Sequence, residues 1–207
     1  MSPKVHRSVL SHLSALSGSS CRSSGRGKDA HRRLNSAMDL AVHHNVDRFK
    51  AGEAGLMHDL AKNFQPQQLL QMARADGLEV DEVLEANPRL LHADVGAIVA
   101  RDVFGVKDEE VLRAIANHTL GRPGMSLLSC IVFLADSLEP GRGDTLELQA
   151  LRQMCYQNIN QAVWKTSDYT LKLLMEGTRL IHPRAIATRN WFVIRAKPEL
   201  LIMESTT

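Results

Sequence analysis

The sequence predicts an all-α domain, a helical bundle preceded by a flexible N-terminal arm. Three observations carry this. From about Leu34 onward the apolar residues recur with the roughly 3.6-residue period of helices that bury one face. Strand signals are sparse: only Trp191-Phe192-Val193-Ile194 has the composition of one, and so short an apolar run reads equally well as helix. Pro, Gly and Asn break the body into segments of helical length. A chain of 207 residues, 44% hydrophobic and 23% charged, has the length and composition of a soluble domain that buries its own core. No apolar run approaches the roughly 18 residues of a membrane helix, which excludes a helical spanning protein.

The chain divides into an arm (1–30), a body (31–195) and a tail (196–207). The net charge of +2 is unevenly spread. Residues 1–33 hold seven Lys and Arg against one acid, Asp29, while the remainder holds 18 against 22. The arm is therefore basic and the body mildly acidic. Within the arm, Val9, Leu10, Leu13 and Leu16 suit a short amphipathic helix, followed by a Ser/Gly linker. That reading is preferred over a transit peptide, for which Ser and Arg are frequent enough. It is also preferred over a nucleic-acid-binding arm, which here has no aromatic residue to stack on bases. Cys21, Cys130 and Cys155 are odd in number and far apart, with no C-x-x-C. They indicate neither a disulfide framework nor a thiolate zinc site, and favour a reducing, cytoplasmic compartment, with organelle targeting by the arm as the alternative.

The body elements follow in order. The first helix contains Ala37-Met38-Asp39-Leu40-Ala41, has His43-His44 cap its exposed end, and stops at Asn45-Val46-Asp47. A second runs near 53–61 and ends between Asn63 and Pro66. Asn87-Pro88 opens another, over 89–104. After Gly105, the acids Asp108, Glu109 and Glu110 suit the start of a helix over 108–118. Gly121-Arg122-Pro123-Gly124 is a loop, 127–138 a helix, and Glu139-Pro140-Gly141-Arg142-Gly143 a second loop. Helical pattern resumes from Leu146 to Gly177 with a break near Asn158. Arg189 is placed to pair with an acid that locks the last helix, and Met125 and Met154 are core.

Four consecutive helices each aim one His or Asp along the stripe expected to face the core. His58 shares a face with Ala54, Met57 and Ala61; His92 with Val95, Gly96 and Val99; His118 with Val111, Ala114 and Ile115; Asp136 with Leu128, Val132 and Ala135. One histidine so placed is an ordinary core residue with a single hydrogen bond. Asp136 is harder to place that way, because a buried carboxylate must be paired or bound to a metal. A metal centre between facing helices explains all four at once. Asp59, next to His58, points about 100° away from it on a helix and suits a carboxylate bridging two ions. Imidazole with carboxylate favours iron, manganese, cobalt or zinc over calcium.

His58-Asp59, followed by His92, His118 and Asp136, resembles the HD-domain metal-dependent phosphohydrolase superfamily. The surrounding words narrow it: Gly55-Leu56-Met57-His58-Asp59-Leu60-Ala61-Lys62, Leu90-Leu91-His92, His118-Thr119-Leu120-Gly121-Arg122-Pro123-Gly124-Met125-Ser126, Phe133-Leu134-Ala135-Asp136-Ser137, Ile181-His182-Pro183 and Thr188-Arg189-Asn190. In this order they are similar to the YqeK-type symmetrical diadenosine tetraphosphate hydrolases, over about residues 31–191. The resemblance implies an HD-domain bundle around a binuclear centre of two transition-metal ions, iron first, with manganese, cobalt or zinc as substitutes. It implies His58, Asp59, His92, His118 and Asp136 as metal ligands, plus a histidine on the preceding helix. His31 is the candidate upstream of that helix's core, although the usual register lands nearer Asp29; His31, Asp29 or neither stays open, with His31 preferred.

The implied reaction is hydrolysis of diadenosine tetraphosphate to two ADP by a hydroxide held between the ions. Asp59, Lys62 and Arg122 are the implied catalytic residues. Lys62, His118, Thr119, Gly121, Arg122, Arg142 and His182 are the implied substrate contacts. Asp94, near His92, reads as a solvated helix charge ahead of a ligand-orienting residue. The competing readings are an HD phosphohydrolase of nucleoside monophosphates, deoxynucleoside triphosphates or guanosine polyphosphates, and a non-catalytic HD module with a degraded metal site. A cyclic-dinucleotide phosphodiesterase is disfavoured because Gly-Tyr-Pro is absent. The expected partner is a small dinucleoside polyphosphate rather than a membrane or nucleic acid; a homodimer is left open.

Overall fold

The computed structural model describes residues 36–204, with side chains through Ala196. Every regular element among the described residues is helical. They run α1 (36–43), α2 (Arg48–Met57), α3 (Pro66–Ala75), α4 (Glu82–Ala86), a 3-10 turn (Pro88–Leu91), α5 (His92–Asp102), α6 (Glu109–Asn117), α7 (Leu127–Ser137), a second 3-10 turn (Pro140–Arg142), α8 (Leu146–Gln157), α9 (Ile159–Glu176) and α10 (Pro183–Glu204). Trp191 to Ile194 lie inside α10, so the one strand-like run is helix. That helix continues past residue 195 into the segment read from sequence as a tail. No helix among the described residues is long and apolar enough to cross a membrane.

Side-chain caps fix the helix starts. Asp47 accepts from Phe49 N at 2.8 Å, Asp81 from Leu84 N at 2.9 Å, Asp108 from Glu110 N at 2.9 Å, and Asn158 from Gln161 N at 2.9 Å. Ser126 and Thr145 do the same for α7 and α8. Each satisfies an amide that would otherwise have no intrahelical partner, worth about 1 kcal/mol. Asn158 closes α8 and opens α9, which makes the break expected there.

Two cores form. The larger joins α1, α2 and α6–α9 with Phe192 of α10, around Ile115, Leu128, Ile131, Leu134 and Leu148. The smaller joins α3, α4 and α5 around Leu69, Leu91, Val95 and Val99. Helix α5 is the wall between them: Val95, Ile98 and Val99 face the smaller core and Ala100 the larger. Gly96 lets α5 come close to the end of α2, since a Cβ there would stand 3.2 Å from His58 O. Leu60, one residue past Asp59, packs against both cores, so the His58-Asp59 pair sits at their seam.

His43 and His44 depart from the expectation of capping their own helix. Their Nε2 atoms stand 2.7 Å from Tyr156 O and Cys155 O, at the carbonyl end of α8. They cap a neighbour more than a hundred residues away in sequence, a partner that local pattern does not reveal. Arg189 meets Asp168 at 2.7 Å and ties α10 to α9, as expected.

Candidate metal centre

The site is assembled from helix ends. His58 is the C-cap of α2, His118 the C-cap of α6, His92 the first residue of α5, and Asp136 lies in the last turn of α7. The HD pair therefore stands at the end of its helix, with Asp59 and Lys62 in the turns that follow. All three histidines use the same device. Nδ1 of His58, His92 and His118 lies 2.7, 2.7 and 2.8 Å from the carbonyl oxygens of Gly55, Arg89 and Ile115, three residues upstream. A carbonyl only accepts, so each Nδ1 donates and each Nε2 is turned to the centre.

The distances define one cluster. His58 Nε2 is 3.4 Å from Asp59 Oδ2 and 3.5 Å from Asp136 Oδ1. Asp59 Oδ1 is 3.7 Å from His92 Nε2 and 3.8 Å from His118 Nε2. The two imidazole nitrogens of His92 and His118 are 3.0 Å apart. With both Nδ1 atoms donating, two lone pairs face each other there, an arrangement that calls for a proton or a cation. Ligand atoms of His58, Asp59 and His118 all fall within 4.8 Å of one another. Neutral imidazoles held by carbonyls, beside carboxylates, are the donor set and outer support of a divalent transition-metal site, so these residues fit such an ion.

The electrostatics keep His92 and His118 neutral and set His58 apart. Burial works against a charge on His58, but the Asp136 and Asp59 carboxylates outweigh it and raise its pKa to about 9. Burial, with His58 and His92 nearby, pushes His118 down to about 3. Burial also lowers His92. For Asp59 and Asp136 burial acts upward, yet the bonds to His58, with Lys62 beside one and His118 and Arg142 beside the other, hold both below the usual carboxylate range.

Three further expected residues border this cluster. Lys62 Nζ donates to Asp59 Oδ2 at 2.7 Å. Thr119 Oγ1 lies 3.3 Å from His92 Nε2. Arg142 donates to Asp136 Oδ2 at 3.0 Å and to its carbonyl at 3.2 Å. Others lie apart. Arg122 lines a cavity of about 620 Å³ with Arg113, Asn117 and Ser129, and none of the five ligand candidates lines it. Gly121, at φ +62°, lets its loop close on Thr188. His182 caps α10, accepting from Arg184 N at 3.0 Å, with Nε2 3.1 Å from Asp81 Oδ2. His31 and its competitor Asp29 lie outside the described residues.

Asp94 corrects its reading as a solvated charge. It is 7% exposed and forms a two-pronged pair with Arg184 of α10. Arg152, which sequence reasoning passed over, donates to the carbonyls of Leu138, Glu139 and Gly143 and so shapes the loop carrying Arg142. Nothing in a sequence marks an arginine that binds backbone carbonyls. The Gly-rich loop before it was the available hint.

The HD domain family matches residues 32–141, and the chain belongs to it. Within that class it groups with the symmetrical bis(5'-nucleosyl)-tetraphosphatases. It is 36% identical over 160 residues to the enzyme of that name from Bacillus subtilis, covering 77% of this chain and 85% of that one. Its counterpart from Halalkalibacterium halodurans is 35% identical over 164 residues, covering 79% and 87%. Among solved structures, a predicted HD superfamily hydrolase involved in NAD metabolism from Clostridium acetobutylicum superposes with a TM-score of 0.79 at 33% identity. That match covers 92% of this chain and 97% of the other.

Proposed function

We infer that this chain is a metal-dependent hydrolase that cleaves dinucleoside tetraphosphates symmetrically, giving two ADP from diadenosine tetraphosphate. The observation that carries the reading is the convergence of three imidazole Nε2 atoms and two carboxylates at the core seam of an HD domain. The similarity to tetraphosphatases over most of both chains names the substrate class.

His58, Asp59, His92, His118 and Asp136 would hold two transition-metal ions, iron first, with His31 as the sixth ligand. Bound there, the ions supply an activated water and neutralise charge on phosphoryl oxygens. The chain's own residues do the rest. The Gly55, Arg89 and Ile115 carbonyls hold the imidazoles in one tautomer, so no proton has to leave Nε2 of His92 or His118 before ligation. Lys62 and Arg142 stand on the two carboxylates at the exposed rim and are placed to bind phosphate oxygens of the tetraphosphate. Thr119 supplies a hydroxyl beside His92. Arg122 is assigned to the more distant part of the substrate. The buried free thiols Cys130 and Cys155 suit a cytoplasmic setting.

The test is chromatography of products from diadenosine tetraphosphate, with elemental analysis of the same preparation. ADP as the sole nucleotide and close to two metal ions per chain is the expected result. AMP plus ATP rejects symmetrical cleavage. Asp59→Ala should lose both metal and turnover, and full metal occupancy in that variant would remove Asp59 from the ligand set.

A further inference from the structure

We propose that Arg184 is a positioning residue of the metal centre, the keystone of a brace by which the first turns of α10 hold His92 and His118 in register; this rests on the ligand set assigned above. Asp94 is two residues past His92 in the first turn of α5. The Arg184 guanidinium donates to both its oxygens, at 3.2 and 2.9 Å, with the side chains 19% and 8% exposed. The loop of the second ligand is reached from the same turn, through Thr188, whose one hydroxyl proton is shared between two carbonyls. The Arg184 carbonyl accepts from Thr188 Oγ1 at 2.8 Å, and that hydroxyl also lies 3.0 Å from the carbonyl of Leu120, two residues past His118. The Thr188 methyl fills the space that a side chain at Gly121 would need, 2.5 Å from an ideal Cβ.

One segment of α10 thus grips α5 directly behind His92 and the loop directly behind His118. These are the two ligands whose Nε2 atoms stand 3.0 Å apart on separate elements. Metal–ligand distances tolerate about 0.2 Å, and outer-shell partners of metal ligands are worth roughly 10–100-fold in metal affinity. A bidentate, mostly buried pair is suited to that tolerance, since a planar fork on a carboxylate fixes direction as well as distance.

The experiment uses cobalt(II) as probe, read by its d–d absorption and by titration of the metal-free full chain. Arg184→Gln should weaken cobalt binding roughly 10–100-fold and alter the band shape. Arg189→Gln is the control, because Arg189 ties the same helix to α9 through Asp168 without touching α5 or the His118 loop. It should shift thermal unfolding while leaving cobalt affinity and spectrum unchanged. Arg184→Gln leaves Asp94 buried without its partner. The double variant Asp94→Asn/Arg184→Gln removes that charge and should still bind cobalt more weakly than the wild type. Cobalt binding in both Arg184 variants equal to that of the wild type, while His92→Ala abolishes it, overturns the brace and keeps the ligand set. A wild type that takes up no cobalt overturns both.

Discussion

His58 sits between two carboxylates, and under the proposed ligand set its proton would compete with a metal ion for the same nitrogen. Its pKa is raised from an ordinary 6.5 to about 9, so the charged imidazole stabilises the metal-free fold fully below pH 6.5. That stabilisation is lost as the pH rises through about 9. A metal must displace the proton, so loading should release about one proton per chain from His58 near neutral pH and tighten as pH rises toward 9. Calorimetric titration in buffers of different ionisation enthalpy reads the released proton directly. Loading with no proton release and no pH dependence between 6 and 9 removes His58 from the ligands. The clustering of His58, His92, His118 and Asp136 was legible because each sat on an apolar stripe, where a polar group needs a reason. Asp94 was misread because its reason, Arg184, lies 90 residues away.

At the scale of elements, boundaries were legible wherever a capping side chain or a breaker marked them, as at Asp47, Asp108, Ser126 and Asn158. The fate of Trp191 to Ile194 was not, because a four-residue apolar run fits either period and packing against the α9 side decided it. The partners of His43 and His44 were illegible for the same reason as that of Asp94. The loop after His118 offers the sharpest test of an element. Gly121 combines a left-handed backbone with contact against Thr188. Gly121→Ala should cost about 2–5 kcal/mol, the sum of a disfavoured φ and overpacking. Adding Thr188→Ser, which deletes the obstructing methyl and keeps the hydroxyl, should return the overpacking part and leave about 1–2 kcal/mol. Urea unfolding of the three variants measures both. An unaltered midpoint in Gly121→Ala would show that the loop does not need this close approach.

Across the whole molecule, the sequence pattern revealed the bundle but not its division into two cores with α5 as the wall, since periodicity tells which face is buried and not against what. His58, His92, His118 and Asp136 stand at helix ends, and the ends have a polarity. Among the described residues, the chain meets the centre with the carbonyl termini of α2, α6 and α7 and with the amino terminus of α5. Each carbonyl terminus carries the equivalent of about half a negative charge. They add to the charge of Asp59 and Asp136, and Lys62, Arg142 and the protonated His58 oppose them. A field in which the carbonyl termini dominate predicts an order of loading, ion before nucleotide, without any moving part. Chelated protein should bind ADP at least about tenfold more weakly than the metal-loaded protein, by calorimetry at low ionic strength. Equal affinities would mean that Lys62 and Arg142 already offset the field, and that nothing in the fold dictates which arrives first.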